Sequence, residues 1–296
     1  MIIKDVLIIH NPTAGWRGNR KLSRFAAKLR LNGFNVTTRT TKWPGDAEHF
    51  AASFSPANYD CVVAAGGDGT VNEVVNGLSR NAGSQTIPLA VLPIGTANVF
   101  AMEIGFNQEI NQCVEALKRG VTDIVHLGSI NDRLFVQMAG VGFDALVVSN
   151  VRPKHKRRLG KLAYVLETLS GFVRYRMPMY TVSLDGIDYK AASIVIANGH
   201  FYGGRFTCAP NASVFNKPLE VCLFKSEGAW NAVRYAFGLI RNRLTFYPDV
   251  EIISGQHIEI GDGPRGPAQA DGDIVSHLPI SVRAGQRSIP VILPAT

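Results

Sequence analysis

The 296-residue chain predicts an α/β domain with a parallel sheet, followed by a mainly antiparallel β domain. Two observations carry this. Up to about residue 121, short apolar runs alternate with segments of helical spacing, the pattern of repeated βαβ units with helices on both sheet faces. Beyond it, strand-like runs follow one another, several parted by turn pairs such as Asp185-Gly186, Asn198-Gly199 and Asp262-Gly263. We place the first domain at residues 1–123 and the second at 124–287.

Val6–Ile9 is an apolar run ending in the turn-rich His10-Asn11-Pro12-Thr13-Ala14-Gly15. Lys21–Leu31 has helical spacing through Leu22, Phe25, Ala26 and Leu29. Phe34–Thr40 alternates and is rich in β-branched residues, as a strand requires. Asp46–Phe54 is a short helix, Cys61–Ala65 a buried strand, Val71–Leu78 a helix and Leu89–Leu92 a further buried strand. In the second half the expected strands are 124–130, 134–139, 180–184, 193–197, 219–224, 250–253 and 257–260. Helical segments interrupt them near 157–176 and 226–244. A last strand, 289–293, fits either domain.

Composition is that of a globular protein, 46% hydrophobic and 18% charged. The net charge of +8 favours an anionic partner: nucleic acid, a membrane surface or a nucleotide. The four cysteines, Cys61, Cys113, Cys208 and Cys222, show no CxxC or zinc spacing, which fits a reduced, cytoplasmic setting. The start, Met1-Ile2-Ile3-Lys4-Asp5, does not read as a signal peptide. No apolar run has the length of a membrane span, so any membrane contact is expected to be peripheral.

The chemistry concentrates in loops that follow strands. Gly66-Gly67-Asp68-Gly69-Thr70 lies between an apolar strand and a helix. Glycines there let backbone N–H groups approach a polyanion, and the helix adds its positive end. Asp68 puts a carboxylate where a phosphate or its Mg²⁺ would lie; the alternative is an N-cap. Asn11–Gly15, followed by Arg17, Arg20 and Lys21, and Pro93-Ile94-Gly95-Thr96 are the companion loops. Beyond the carboxyl ends of parallel strands, the three converge on one rim. No Gly-Lys-Ser/Thr follows the glycines, which disfavours a P-loop; this loop is not a GxGxxG fingerprint either, and no Gly-x-Ser-x-Gly elbow occurs. The histidines have no metal spacing, and His10, His126 and His257 read as structural. Asp144 and the pair Asp271/Asp273 are the acidic candidates of the second half. Phosphoryl transfer to a hydroxyl needs one carboxylate as base and others for Mg²⁺.

Arg152-Pro153-Lys154-His155-Lys156-Arg157-Arg158 leads into a helix with Leu159, Leu162, Leu166, Leu169 and Val173 on one stripe, a pattern suited to a peripheral membrane contact or to packing on its own domain. A second helix carries Trp230, Val233, Phe237, Ile240 and Leu244 beside Arg234, Arg241 and Arg243. Aromatics interleaved with basic residues on a sheet, as nucleic-acid binding would use, do not stand out.

Taken together, Asn11–Gly15, Gly66–Leu78, Leu92–Asn98, Gly142-Phe143-Asp144-Ala145 and Asp271-Gly272-Asp273 resemble the bacterial diacylglycerol kinase and sphingosine kinase-like lipid kinases. Gly-Gly-Asp-Gly alone is shared with NAD kinases and phosphofructokinases; the continuation Asn72-Glu73 with Asn76-Gly77 is similar to the lipid kinases. The resemblance implies a Rossmann-like, doubly wound first domain and a C-terminal β-sandwich enclosing ATP, with residues 288–296 returning to the first domain. It implies ATP contacts from Asn11, Pro12, Thr13, Ala14, Gly15, Thr41, Gly66, Gly67, Asp68, Gly69, Thr70, Val71, Asn72 and Thr96. It implies Mg²⁺ held through Asp68 and Asp144, and a proton acceptor at Asp273, where the family has glutamate, with Asp271 the competing base. Two departures stand out. Val99 replaces an aspartate of the Mg²⁺ network, and Asn216-Lys217-Pro218-Leu219-Glu220 replaces the Asp-Gly-x-Leu-Asp tied to a structural Mg²⁺. The expectation is therefore an ATP- and Mg²⁺-dependent lipid kinase acting on a diacylglycerol-like or sphingoid-like hydroxyl in lipid metabolism and phospholipid biosynthesis. It would be cytoplasmic, peripheral at the inner membrane face and without a nucleic-acid partner. The alternatives are a kinase of a soluble acceptor, NAD-kinase-like, and a non-catalytic nucleotide or lipid sensor.

Overall fold

The computed structural model describes residues 2–15, 18–81, 87–142, 145, 178–261 and 266–294. Two compact units emerge: Met1–His126 with Arg287–Thr296, and Leu127–Gln286. The sequence boundaries above were 123/124 and 287/288. Asp144, the basic run 152–158, the helix expected over 157–176 and the Asp262-Gly263 turn lie outside the described residues.

The first unit begins β1(Asp5–His10)–α1(Gly18–Leu31)–β2(Asn35–Thr40)–α2(Asp46–Ser53)–β3(Cys61–Gly66)–α3(Asp68–Arg80)–β4(Leu89–Pro93). Two helices follow, α4(Val99–Glu103) and α5(Ile110–Arg119). The strands are parallel in the order β2-β1-β3-β4. Val6–Ile9 and Cys61–Ala65 are wholly buried, as expected for strands covered on both faces. Chain direction reverses its walk across the sheet between β1 and β3, which makes that gap the topological switch point. Val291 near the chain end pairs in parallel with Leu89, so the end of the chain does extend this sheet.

In the second unit lie the later part of β5(Thr122–Ile130) and β6(Arg133–Phe135), β7(Met138–Val141), β8(Tyr180–Leu184), β9(Ile187–Ala191) and β10(Ser193–Ala197). The short β11(Phe201–Tyr202) and β12(Phe206–Thr207) precede β13(Leu219–Phe224) and α6(Ala229–Ile240). The rest is β14(Val250–Gly255), β15(His257–Ile260), β16(Pro267–Ala270), β17(Asp273–His277) and the first part of β18(Ile280–Ile292). One antiparallel sheet runs β14-β13-β10-β7-β16-β17. Another joins β18, β15, β8 and β9. Val182, Ile258 and Val282 from the one and Ile194, Val221 and Ala268 from the other share a single buried cluster, so the unit is a β-sandwich. Every residue of β10 is buried because both its faces are covered. Ile194 and Ile196 enter the sandwich core, while Val195 and Ala197 join a second cluster with Tyr235 of α6.

Several boundaries differ from expectation, among them the helix expected over 226–244, which runs Ala229–Ile240, and two differences bear on the site. The helix expected from Val71 opens three residues earlier, at Asp68, because the Val71 N–H reaches the Gly67 carbonyl at 3.1 Å and closes the first turn there. The run 134–139 is broken at Val136-Gln137, whose N–H groups donate to the Asp271 carboxylate.

Candidate active site

β1, β3 and β4 end in register, with His10 beside Ala65 and Gly66 beside Pro93. The loops that follow therefore leave the same sheet edge side by side. Asn11 Nδ2 donates to Thr70 Oγ1 at 3.2 Å, which ties the first loop to the second across the switch point. Asn11 Oδ1 accepts from the Thr13 N–H and hydroxyl at 3.0 and 2.8 Å, so one side chain organises its own turn. Thr41, after β2, is buried and its N–H donates to the His10 carbonyl at 2.8 Å.

The glycines are used for proximity. A Cβ on Gly95 would lie 2.4 Å from Gly67 Cα, and one on Gly15 would lie 2.1 Å from the Ile94 carbonyl oxygen. The three loops thus pass backbone against backbone. Gly67 is the N-cap of α3 and offers no side chain to its first turn, leaving that end suited to an external anion. Asp68 is not the N-cap of its own helix. Its Oδ1 accepts from the Phe100 N–H at 3.1 Å, in the first turn of α4, and so links the second loop to the third. Asn98 sits in the left-handed region, φ 52°, and closes the third loop on itself. Its Oδ1 accepts from the Gly95 N–H and its Nδ2 donates to the Gly95 carbonyl, both at 2.9 Å.

Of the residues expected at the nucleotide, Thr13, Gly15, Gly69 and Thr96 are exposed on the rim. Asn11, Pro12, Ala14, Gly67 and Asp68 are half-buried. Gly66, Thr70, Val71 and Asn72 lie beneath them; Asn72 Oδ1 accepts from Asn76 Nδ2 at 3.1 Å. Lys21, read as a phosphate cation, donates from Nζ to the Pro93 carbonyl at 2.7 Å, and burial lowers its pKa. It fastens α1 to the third loop. Sequence reasoning missed that Ile94 and Asn98 shape this loop. Only an asparagine within a glycine turn hinted at it.

The acidic candidates of the second unit separate cleanly. Asp271, φ 47°, and Gly272, φ 86°, form the turn between β16 and β17. The Asp271 carboxylate accepts from the N–H groups of Val136, Gln137 and Met138 at 2.7, 2.8 and 3.0 Å. Asp273, at the start of β17, is exposed. In the stretch that replaces the family's Asp-Gly-x-Leu-Asp, Glu220 accepts from the Ser254 hydroxyl at 2.5 Å. Val99 is buried at the start of α4.

Among the described residues no three His, Cys, Asp or Glu side chains gather as a metal cage. Mg²⁺ on a nucleotide needs none, since it binds through one or two carboxylates with phosphates and water. Asp68, a half-buried carboxylate among the three loops, fits that requirement.

Residues 5–130 match the diacylglycerol kinase catalytic domain, and residues 137–293 match the YegS C-terminal NAD kinase beta sandwich-like domain. The diacylglycerol kinase of Bacillus subtilis (strain 168) is 28% identical over 296 residues, covering 99% of this chain and 97% of that protein. A "probable lipid kinase YegS-like" protein of Pseudomonas aeruginosa strain PAO1 is 32% identical over 274 residues, 88% of each chain. In fold, the chain is similar to a diacylglycerol kinase of Bacillus anthracis str. Sterne, with TM-score 0.79, 24% identity and coverage of 99% and 98%. It is more distantly similar to yeast NADH kinase complexed with NADH, with TM-score 0.52, 12% identity and coverage of 99% and 84%. The chain belongs to the diacylglycerol kinase and YegS-like lipid kinase family.

Proposed function

We propose that this kinase transfers the γ-phosphoryl group of ATP to a hydroxyl of a membrane lipid, diacylglycerol-like or sphingoid-like. The observation that carries the reading is the convergence of three strand-end loops at the switch point, two of them in glycine-to-glycine contact. Such a rim brings backbone and a helix N-terminus within reach of phosphates. Mg²⁺, held by the phosphates with Asp68, would neutralise charge on the transferring group.

We assign Asp273 as the proton acceptor. Three N–H bonds stabilise the charged form of Asp271 and occupy its oxygens, which makes it a poor base and a good anchor for the turn that carries Asp273. The lipid hydroxyl gives its proton to the Asp273 carboxylate as its oxygen bonds to the γ-phosphorus, and ADP leaves in line. The product is a phosphate monoester of the lipid, a precursor for phospholipid synthesis. An acceptor of this kind sets the enzyme to work peripherally at the inner face of the membrane.

The test is transfer of labelled γ-phosphate from ATP to a panel in mixed micelles: diacylglycerol, monoacylglycerol, sphingosine, ceramide and phosphatidylglycerol, with NAD as soluble comparison. A labelled lipid that disappears with Asp68→Ala is the expected result. Label on NAD, or ATP binding with no labelled product, would overturn the proposal.

A further inference from the structure

α6 is apolar on two opposite faces. Ala232, Tyr235 and Gly238 form its buried stripe, packed on the outer face of the β14-β13-β10 side of the sandwich. On the far side, at helical spacing, stand Trp230, 78% exposed, Phe237, 50%, and Ile240, 54%. Phe246, 77% exposed, follows in the short turn after the helix. A monomer gains nothing by holding four large apolar side chains in water within seventeen residues.

The exposed charges at the C-terminal end of α6 have one sign. α6 contains no acidic residue. Arg234 is not part of the surface charge: it pairs with Asp249 and lies over the Tyr235 and Tyr247 rings at 5.1 and 5.0 Å. Arg241 and Arg243 are exposed at the end of the helix, and the Arg241 guanidinium stacks over Phe237 at 4.0 Å. Among the described residues Lys225 is spent on Glu251, and Glu227 is the nearby exposed acid, at the opposite end of the helix. No helix among the described residues is long and apolar enough to cross a membrane. A helix with Trp and Phe on its outer face and arginines at its end suits the plane of a bilayer interface, where rings enter the acyl boundary and guanidinium groups meet lipid phosphates.

We propose that the outer face of α6, with Phe246, docks this kinase on an anionic lipid bilayer. The proposal takes its purpose from the lipid-acceptor reading. It adds a surface built from residues other than those of the three glycine loops.

The experiment uses the full chain and sucrose-loaded vesicles, phosphatidylglycerol–phosphatidylcholine against phosphatidylcholine alone. Wild type is expected to sediment with the anionic vesicles, less so at high salt, with a blue shift of tryptophan emission that Trp230→Phe abolishes. Phe237→Ser/Phe246→Ser is expected to cut the vesicle partition coefficient at least about tenfold. Arg241→Glu/Arg243→Glu is expected to weaken anionic vesicles selectively. All these side chains are exposed, so thermal melts should match wild type. Turnover of a water-dispersed short-chain diacylglycerol by the double serine variant, unchanged from wild type, separates docking from chemistry. If no lipid is phosphorylated yet vesicle binding depends on this face, docking stands and the acceptor reading falls. Vesicle binding absent in wild type, or unchanged in the serine variant, overturns the docking proposal. A dimer in light scattering that the serine variant dissociates, with vesicle binding unaltered, gives the face to a second copy and overturns it as well.

Discussion

Gly95→Ala tests whether the phosphate rim depends on backbone contact between loops. The new Cβ would lie 2.4 Å from Gly67 Cα, 2.8 Å from Asn98 Oδ1 and 3.1 Å from Gly67 N. Carbon atoms in contact settle at about 3.5–4.0 Å, so the second and third loops must part by about 1 Å. Neither neighbour is the far end of a flexible side chain: one is backbone, the other an asparagine bonded twice to Gly95. Overpacking of this kind costs about 1–3 kcal/mol of stability. A displacement of about 1 Å at a group that positions substrate costs about 100-fold, or about 2.7 kcal/mol of transition-state stabilisation. We expect kcat/KM for ATP to fall about 100-fold and ATP affinity by calorimetry to fall with it. Tm should drop by only a few degrees. Gly67→Ala should be milder, because its Cβ meets Gly95 Cα at 3.3 Å. Gly261→Ala is the control, since nothing lies within 4 Å of its Cβ. A folded Gly95→Ala protein with kcat/KM within twofold of wild type would refute the argument that this contact builds the phosphate site.

Three further outcomes follow from the geometry. Asp273→Asn should abolish phosphoryl transfer with an unchanged melt. Asp271→Asn should instead lower stability by about 1.5–3 kcal/mol in urea unfolding, as charged acceptors of N–H bonds do when neutralised; the reverse pattern would exchange their roles. His10 is buried, its Nε2 has no hydrogen-bond partner among the described residues, and burial lowers its pKa. The unfolded chain therefore binds this proton more readily, and stability should be lost as pH falls through the ordinary histidine value of about 6.5; His10→Gln should flatten that part of the pH–stability curve. All four cysteines are buried, the Cys113 thiol is pushed up to about 12 by burial, and Cys208 and Cys222 bring their sulfurs to 3.6 Å. Thiol titration with an aromatic disulfide should give almost no fast-reacting group in the native protein and four after denaturation.

Much of the fold, and the place of the glycine loops at the strand ends, was legible in the sequence because the signals are local. Buried parallel strands are unbroken apolar runs, and the expected strands at 180–184, 193–197, 219–224 and 257–260 stand where the spacing put them. Glycine clusters at strand ends announced the loops. β16 and β17 escaped notice because Pro267-Ala-Gln-Ala has little strand preference and gains its place only by pairing with β7. The contacts that decide roles were hidden for the same reason. Asp271 and Asp273 are indistinguishable as sequence, both acids beside one glycine. Their difference arises when the fold brings the N–H groups of Val136–Met138, over 130 residues away, onto one of them. Likewise Gly67 and Gly95 are two ordinary turn glycines until parallel pairing of β3 with β4 sets their backbones against each other. Sequence determined which loops could hold phosphate, through residue size and strand–helix order. Tertiary structure decided which carboxylate is bound and which is presented, because hydrogen-bond partners far apart in the chain are chosen by packing.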